Sequence, residues 1–150
     1  MFDFYRVAAI CPKVMVADAS YNVDEILKKL EDAYQENVAV IAFPELAVTG
    51  YSCQDLFFQQ ALIRAAGEGL SRILSATSGH ESAVIVGAPA LVLGQLYNAA
   101  YVMLDGKLIA CPEWLGWTLY GCAVAGMLGI SLRTVRKADF AEQGKDETGK

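Results

Sequence analysis

The chain has 150 residues, 55% hydrophobic and 19% charged, enough for one domain with a sizeable core and too apolar for intrinsic disorder. Twelve Lys and Arg against 17 Asp and Glu leave a net charge of -5. No basic cluster offers the phosphate-neutralising surface that nucleic acids require, which argues against DNA or RNA as partners. The four cysteines, Cys11, Cys53, Cys111 and Cys122, form no CxxC pair, and the single histidine is His80, so zinc-ligand spacings are missing. Asp3 and the shortness of the following apolar run argue against a signal peptide. The expectation is a cytoplasmic chain with reduced thiols, no metal of its own and no histidine-based triad. His80 sits in a Ser78-Gly79-His80-Glu81 turn and reads as a solvated loop residue.

In chain order, Val7-Ala8-Ala9-Ile10 reads as a short buried strand closed by Cys11-Pro12. Asn22 with Glu25 three residues on reads as the capping box of a helix. Val23, Ile26, Leu27, Leu30, Ala33 and Tyr34 share one face of it, and Lys28, Lys29, Glu31 and Asp32 the other. Val38 to Phe43 is apolar throughout, which predicts a strand buried on both faces. Leu62 to Leu74 predicts a second amphipathic helix, weakened by Gly67 and Gly69. Ala83 to Ala88 predicts another buried strand. Leu96 to Leu104 and Lys107 to Ala110 flank Asp105-Gly106, a strong two-residue hairpin signal. The resulting β-α-β-α-β-β-β order describes an α/β architecture.

Glu45 is the residue that physical reasoning singles out. It follows a predicted buried strand within Phe43-Pro44-Glu45-Leu46. A carboxylate held dry at the carboxyl end of such a strand would have the raised pKa of a general base. A Glu at the same place could equally cap a nearby helix or face water.

Phe43-Pro44-Glu45-Leu46 followed by Thr49-Gly50-Tyr51-Ser52-Cys53-Gln54-Asp55-Leu56-Phe57 resembles the first catalytic motif of the carbon–nitrogen hydrolase (nitrilase) superfamily. More narrowly it resembles the N-terminal glutaminase domain of the glutamine-dependent NAD+ synthetases. Arg6 to Ala9, Pro12-Lys13, Asn22 to Leu27, Val86 to Pro89 and Leu96 to Ala100 fit the same pattern, so the likeness runs from about residue 4 to 110. The resemblance implies an α-β-β-α sandwich, here incomplete, with only its N-terminal part. It implies a Glu-Lys-Cys triad in which the cysteine attacks the glutamine amide, the glutamate takes its proton and the lysine stabilises the oxyanion. The ammonia released serves ATP-dependent amidation of nicotinic acid adenine dinucleotide. Glu45 fills the glutamate position as general base. No cofactor is expected in this chain, ATP and magnesium belonging to a separate synthetase domain.

The chain departs from the pattern after the hairpin. If Pro112 aligns with the family proline, Glu113 stands where the lysine is expected. Cys53 belongs to the first motif and not to the nucleophile position, and Cys53, Cys111 and Cys122 read as small buried hydrophobes. The expected organisation is therefore a partial glutaminase domain over 4–110, an unmatched apolar segment over 111–132 and a polar tail over 133–150. Trp114 to Leu132 carries no charge and could be a membrane span, a loosely packed apolar helix or a core element, with a membrane disfavoured. The chain alone is expected to lack turnover. Half a sandwich leaves an open sheet edge and an apolar face, so self-association or association with intact subunits is expected, with glutamine as the family substrate.

Overall fold

The computed structural model describes residues 4–110 and the backbone of Glu113 and Trp114. Strand β1 (Val7–Ala9) leads to helix α1 (Ala19–Gln35), then β2 (Val40–Ala42) and a 3₁₀ stretch (Tyr51–Phe58). Helix α2 (Gln60–Ala76) follows, then β3 (Ala83–Val92), β4 (Gln95–Leu104), β5 (Lys107–Ala110) and β6 (Glu113–Trp114). These strands form one sheet in the order β1-β2-β3-β4-β5, with β6 also paired to β4. β1, β2 and β3 run parallel through the two helical crossovers, and β3, β4 and β5 form an antiparallel meander.

Both helices lie on one face of the sheet. Val23, Ile26 and Leu30 of α1 and Ala66, Leu70 and Ile73 of α2 pack with Ile41, Val84, Val86 and Met103 in a continuous core. Gly67 and Gly69 do not break α2. Gly69 serves the packing, because a Cβ there would lie 2.6 Å from Val23 Cγ2 on α1. Among the described residues no helix follows α2 over the sheet, and an apolar cavity of about 310 Å³ opens there, lined by residues that include Leu70, Leu74, Tyr101, Met103 and Leu108. The opposite sheet face shows the alternate residues, and no described helix covers it. There Val7 is 68% and Ile109 55% exposed, and Val40, Ala42, Ile85, Val102 and Leu104 are half-buried. The Val38 to Phe43 run, expected to be buried on both faces, is thus a three-residue strand buried on one. The described residues form one helix layer on one sheet, half of the expected sandwich.

Several local readings change. α1 starts four residues earlier than its sequence suggests. Its N-cap is Asp18, whose side chain accepts a hydrogen bond from Tyr21 N, and Glu25 pairs with Lys28. Asn22 lies inside the helix, fully buried, and its role is described below. β3 runs on past Ala88 to Val92, turning through Leu93 and Gly94 at φ 50° and 77° into β4. That hairpin escaped the sequence because Pro89 argues against a strand interior and Leu-Gly is not the usual pair for such a turn. The Asp105-Gly106 turn forms as predicted, with φ 47° and 67°. It is tied to the end of α2 by Gly106 N donating to Thr77 Oγ1 and Gly79 N donating to Asp105 Oδ1, both at 2.9 Å.

His80 is not simply solvated. It is half-buried and its ring stacks on Tyr34 of α1, with centroids 3.6 Å apart and planes 3° from parallel. Tyr34 Oη is buried without a hydrogen-bond partner among the described residues. Burial, with the charge of Glu31 adding to it, pushes the Tyr34 phenol up to about 12. The unfolded chain releases this proton near the ordinary tyrosine value, about 10, while the folded chain keeps it. Between the two values the folded state holds more protons, so the phenol's contribution to stability is lost as pH rises from about 10 toward 12. Tyr34→Phe is expected to flatten this alkaline loss, read as a smaller difference between urea midpoints at pH 9 and pH 11. Equal differences in the two proteins would contradict it.

No helix among the described residues is long and apolar enough to cross a membrane. The readings of the 111–132 segment, including a span over 114–132, and of the 133–150 tail lie outside the described residues, the backbone of Glu113 and Trp114 apart.

Candidate active site

β2 delivers the chain to the site. Phe43 N still donates to Ile85 O of β3 at 2.8 Å, and Pro44, having no N–H, ends the ladder. The chain then turns: Ala47 N donates to Pro44 O at 3.2 Å, and Thr49 N and Gly50 N both donate to Leu46 O, at 3.1 and 2.7 Å. Leu46 adopts φ 52°, a left-handed conformation uncommon for a leucine. It is 6% exposed in the core while its neighbour Glu45 is exposed. The strained turn thus presents Glu45 and buries Leu46 directly after it.

Two features hold this turn. On the sheet side, Val48 N donates to Gly87 O at 3.3 Å, and the turn lies directly on Gly87. A Cβ on Gly87 would come within 2.6 Å of both Leu46 N and Pro44 O and within 2.7 Å of Glu45 Cα. Only glycine permits that approach. On the helix side, Asn22 Oδ1 accepts from Met15 N at 2.6 Å, and its Nδ2 donates to Met15 O at 2.8 Å and Val48 O at 3.0 Å. Asn22 is therefore not the cap of α1 but a buried clamp joining the loop before α1 to the end of the Glu45 turn.

The Glu45 carboxylate accepts a hydrogen bond from Asn98 Nδ2 of β4. Asn98 is opposite Pro89 of β3 on one side and Trp114 of β6 on the other. Together they border a cleft of about 470 Å³, whose other walls are Leu46, Tyr51, Ser52, Gln54 and Phe57. A smaller space of about 60 Å³ lies beneath, bounded by Phe43, Glu45, Ile85, Gly87, Asn98, Ala99 and Ala100. The 3₁₀ stretch forms one wall of the cleft and kinks at Gln54, φ 47° and ψ -123°. Tyr51 stands 74% exposed beside it. The cleft thus offers one carboxylate, two carboxamides and two hydroxyls, a set suited to hydrogen-bonding a neutral polar substrate beside a single proton acceptor.

The expectation of a dry Glu45 does not hold among the described residues. The residue is exposed, although the turn, β4 and the 3₁₀ stretch all border the cleft that it lines. Cys53 is 2% exposed, its thiol donating to Thr49 O at 3.1 Å and Gly50 O at 3.4 Å, in keeping with its reading as a buried hydrophobe. It does not line the cleft, and no Lys or Arg does so among the described residues. The register places residue 113 opposite Ala99, next to the position of Asn98. Cys111 and Cys122 lie outside the described residues, and Cys11 is exposed. No group of three His, Cys, Asp or Glu that could hold a metal ion occurs among the described residues.

The carbon-nitrogen hydrolase family model matches residues 6–113, a stretch that holds both the Glu45 turn and Asn98. The chain belongs to the carbon-nitrogen hydrolase family. Among curated relatives it is 29% identical over 106 residues to a glutamine-dependent NAD(+) synthetase of Mycobacterium leprae, covering 71% of this chain and 16% of that one. It is 32% identical over 109 residues to the enzyme of that name from Xylella fastidiosa, covering 72% of this chain and 20% of that one. A crystal structure of a glutamine-dependent NAD(+) synthetase from Cytophaga hutchinsonii superposes with a TM-score of 0.68 at 28% identity, over 73% of this chain and 18% of the other. The chain thus spans between 16% and 20% of the length of these relatives. The fold is that of a carbon-nitrogen hydrolase, covered in part.

Sequence reasoning found Glu45 but not what holds it. Gly87 and Asn98 lay inside segments recognised only as family-like. A polar Asn amid the apolar Leu96 to Leu104 run was the available signal for the second.

Proposed function

We propose that this chain supplies the front of a glutaminase layer in NAD+ synthesis, with Glu45 as its general base. The observation that carries this reading is the position of Glu45 at the carboxyl end of β2, hydrogen-bonded to Asn98 and facing a cleft of about 470 Å³. In the proposed chemistry the Glu45 carboxylate takes the proton of a cysteine thiol as the sulfur adds to the carboxamide carbon of glutamine. The tetrahedral oxyanion collapses to a thioester, and the proton returns to nitrogen so that ammonia leaves. Water then hydrolyses the thioester to glutamate. No described residue lining the cleft supplies the thiol or the oxyanion-stabilising cation.

In this reading the chain alone shows no turnover, and its partner is an intact synthetase subunit that brings the thiol and the cation. ATP-dependent amidation of nicotinic acid adenine dinucleotide, with its ATP and magnesium, belongs to a synthetase domain outside the residues matched here. The compartment in this reading is the cytoplasm. A non-catalytic interaction module is the second reading, favoured by the apolar sheet face that no described helix covers.

One experiment separates them. The chain is co-purified with a glutaminase region of a related synthetase from which the first strands have been deleted, and glutamine-dependent ammonia release is measured. Catalysis by the mixture and not by either part, reduced 100-fold or more by Glu45→Gln, is expected. Activity indifferent to Glu45→Gln would overturn the base assignment. Co-elution without activity would favour the interaction module.

A further inference from the structure

We infer that Asn98 is the positioning residue of this site, a carboxamide kept in the sheet to aim the Glu45 carboxylate. The inference rests on the reading of Glu45 as the base. The chain contains its own standard of comparison in Asn22. That residue is a structural asparagine: buried, with both ends of its carboxamide engaged by backbone groups of Met15 and Val48. Asn98 is different. Its Nδ2 donates to Glu45 Oε1, while its Oδ1 is buried with no partner among the described residues. An orphaned buried oxygen weakens a strand, so stability alone would favour an apolar residue between Tyr97 and Ala99. What Asn98 gains in return is the single bond to Glu45.

The direction of the carboxamide follows from chemistry. An ionised carboxylate only accepts, so Nδ2 must face Glu45 and Oδ1 must face inward. The chemistry of the donor matters too. A Lys or Arg in this place would hold Glu45 as an anion and oppose its taking a proton, whereas a neutral amide orients the carboxylate without neutralising it. With Oε1 engaged, Oε2 has no partner among the described residues and is free for an incoming proton. Pairing with β3 on one edge and β6 on the other fixes the backbone from which the amide reaches. A glutamate on an exposed turn otherwise samples several rotamers, and a base is effective only within a narrow geometry.

The test is spectroscopic and uses the whole chain. Carbon-13 relaxation of the Glu45 γ-methylene is measured in the wild type, in Asn98→Ala and in Asn22→Ala. In Asn98→Ala the order parameter is expected to fall below about 0.6, the range of a freely moving group. Asn22→Ala, which frees the far end of the turn at Val48 and leaves the Asn98–Glu45 bond in place, is expected to lower stability and to reduce that order parameter less than Asn98→Ala does. A reciprocal measurement covers the case in which Asn98→Ala fails to fold. In Glu45→Ala, altered only at an exposed position, the Asn98 carboxamide protons should move to the shifts of a non-bonded amide. Unchanged Glu45 relaxation in Asn98→Ala, or unchanged Asn98 resonances in Glu45→Ala, would overturn the positioning role. Failure of the base assignment would appear instead in the ammonia assay, with these spectra unaffected.

Discussion

Gly87→Ala is expected to destabilise the chain by about 3 kcal/mol, the upper part of the range for overpacking. The added methyl would stand 2.6 Å from Leu46 N and Pro44 O, closer than real contacts allow. Both are backbone atoms, so no side-chain rotation relieves the clash. Either β3 or the turn carrying Glu45 must move, and the turn, with Leu46 already at φ 52°, has the less freedom to do so. In a folded unit of this size the loss corresponds to a melting temperature lower by about 10 °C or more. Gly67→Ala is the matched control. A Cβ at Gly67 meets nothing within 4 Å, and the position is inside α2, where alanine is favoured over glycine by about 1 kcal/mol. Thermal melts of the two variants should therefore shift in opposite directions. A Gly87→Ala protein that melts with the wild type would show that the turn does not rest on β3 as described.

The second large effect is expected at Asn22. Asn22→Ala removes three hydrogen bonds at once, from a residue that is wholly buried. It leaves Met15 N, Met15 O and Val48 O without those partners, so the loss includes their desolvation as well as the bonds. A cost of about 3 kcal/mol follows at roughly 1 kcal/mol per bond, with more if the freed groups stay dry. Asn22→Asp keeps the acceptor for Met15 N but loses both donors and buries a charge, so it should be no better. Urea denaturation measures both. A loss under about 1 kcal/mol for the alanine variant would mean that the loop before α1 and the Glu45 turn do not depend on this clamp.

The contrast between Asn22 and Glu45 shows how far sequence pattern reaches. The helix faces of α1 and α2 and the Asp105-Gly106 hairpin were legible because each is fixed by neighbours within a few residues. Glu45 was legible as the residue after an apolar run broken by proline, and its motif pointed to the family. Asn22 was misread because Asn-x-x-Glu satisfies the capping-box pattern, while Asp18, with a bond to Tyr21 N, takes the cap. What made Asn22 a clamp is Val48, 26 residues away, which no local pattern contains. The exposure of Glu45 was illegible for a related reason: burial of a turn depends on what lies over it, and that is a property of distant segments. The long β3 and its Leu93-Gly94 turn were hidden by Pro89, whose missing N–H the sheet tolerates opposite Asn98.

The meander has a temporal consequence. β3, β4 and β5 are joined by turns of two residues, so their pairing closes short loops, whereas the parallel pairs of β1, β2 and β3 require whole helical crossovers to be ordered first. Gly87 and Asn98 both belong to the early-closing hairpin, and Glu45 to the late-arriving half. On loop closure the receptor for the carboxylate is therefore expected to form before the carboxylate reaches it, so that the acid docks onto a platform already set.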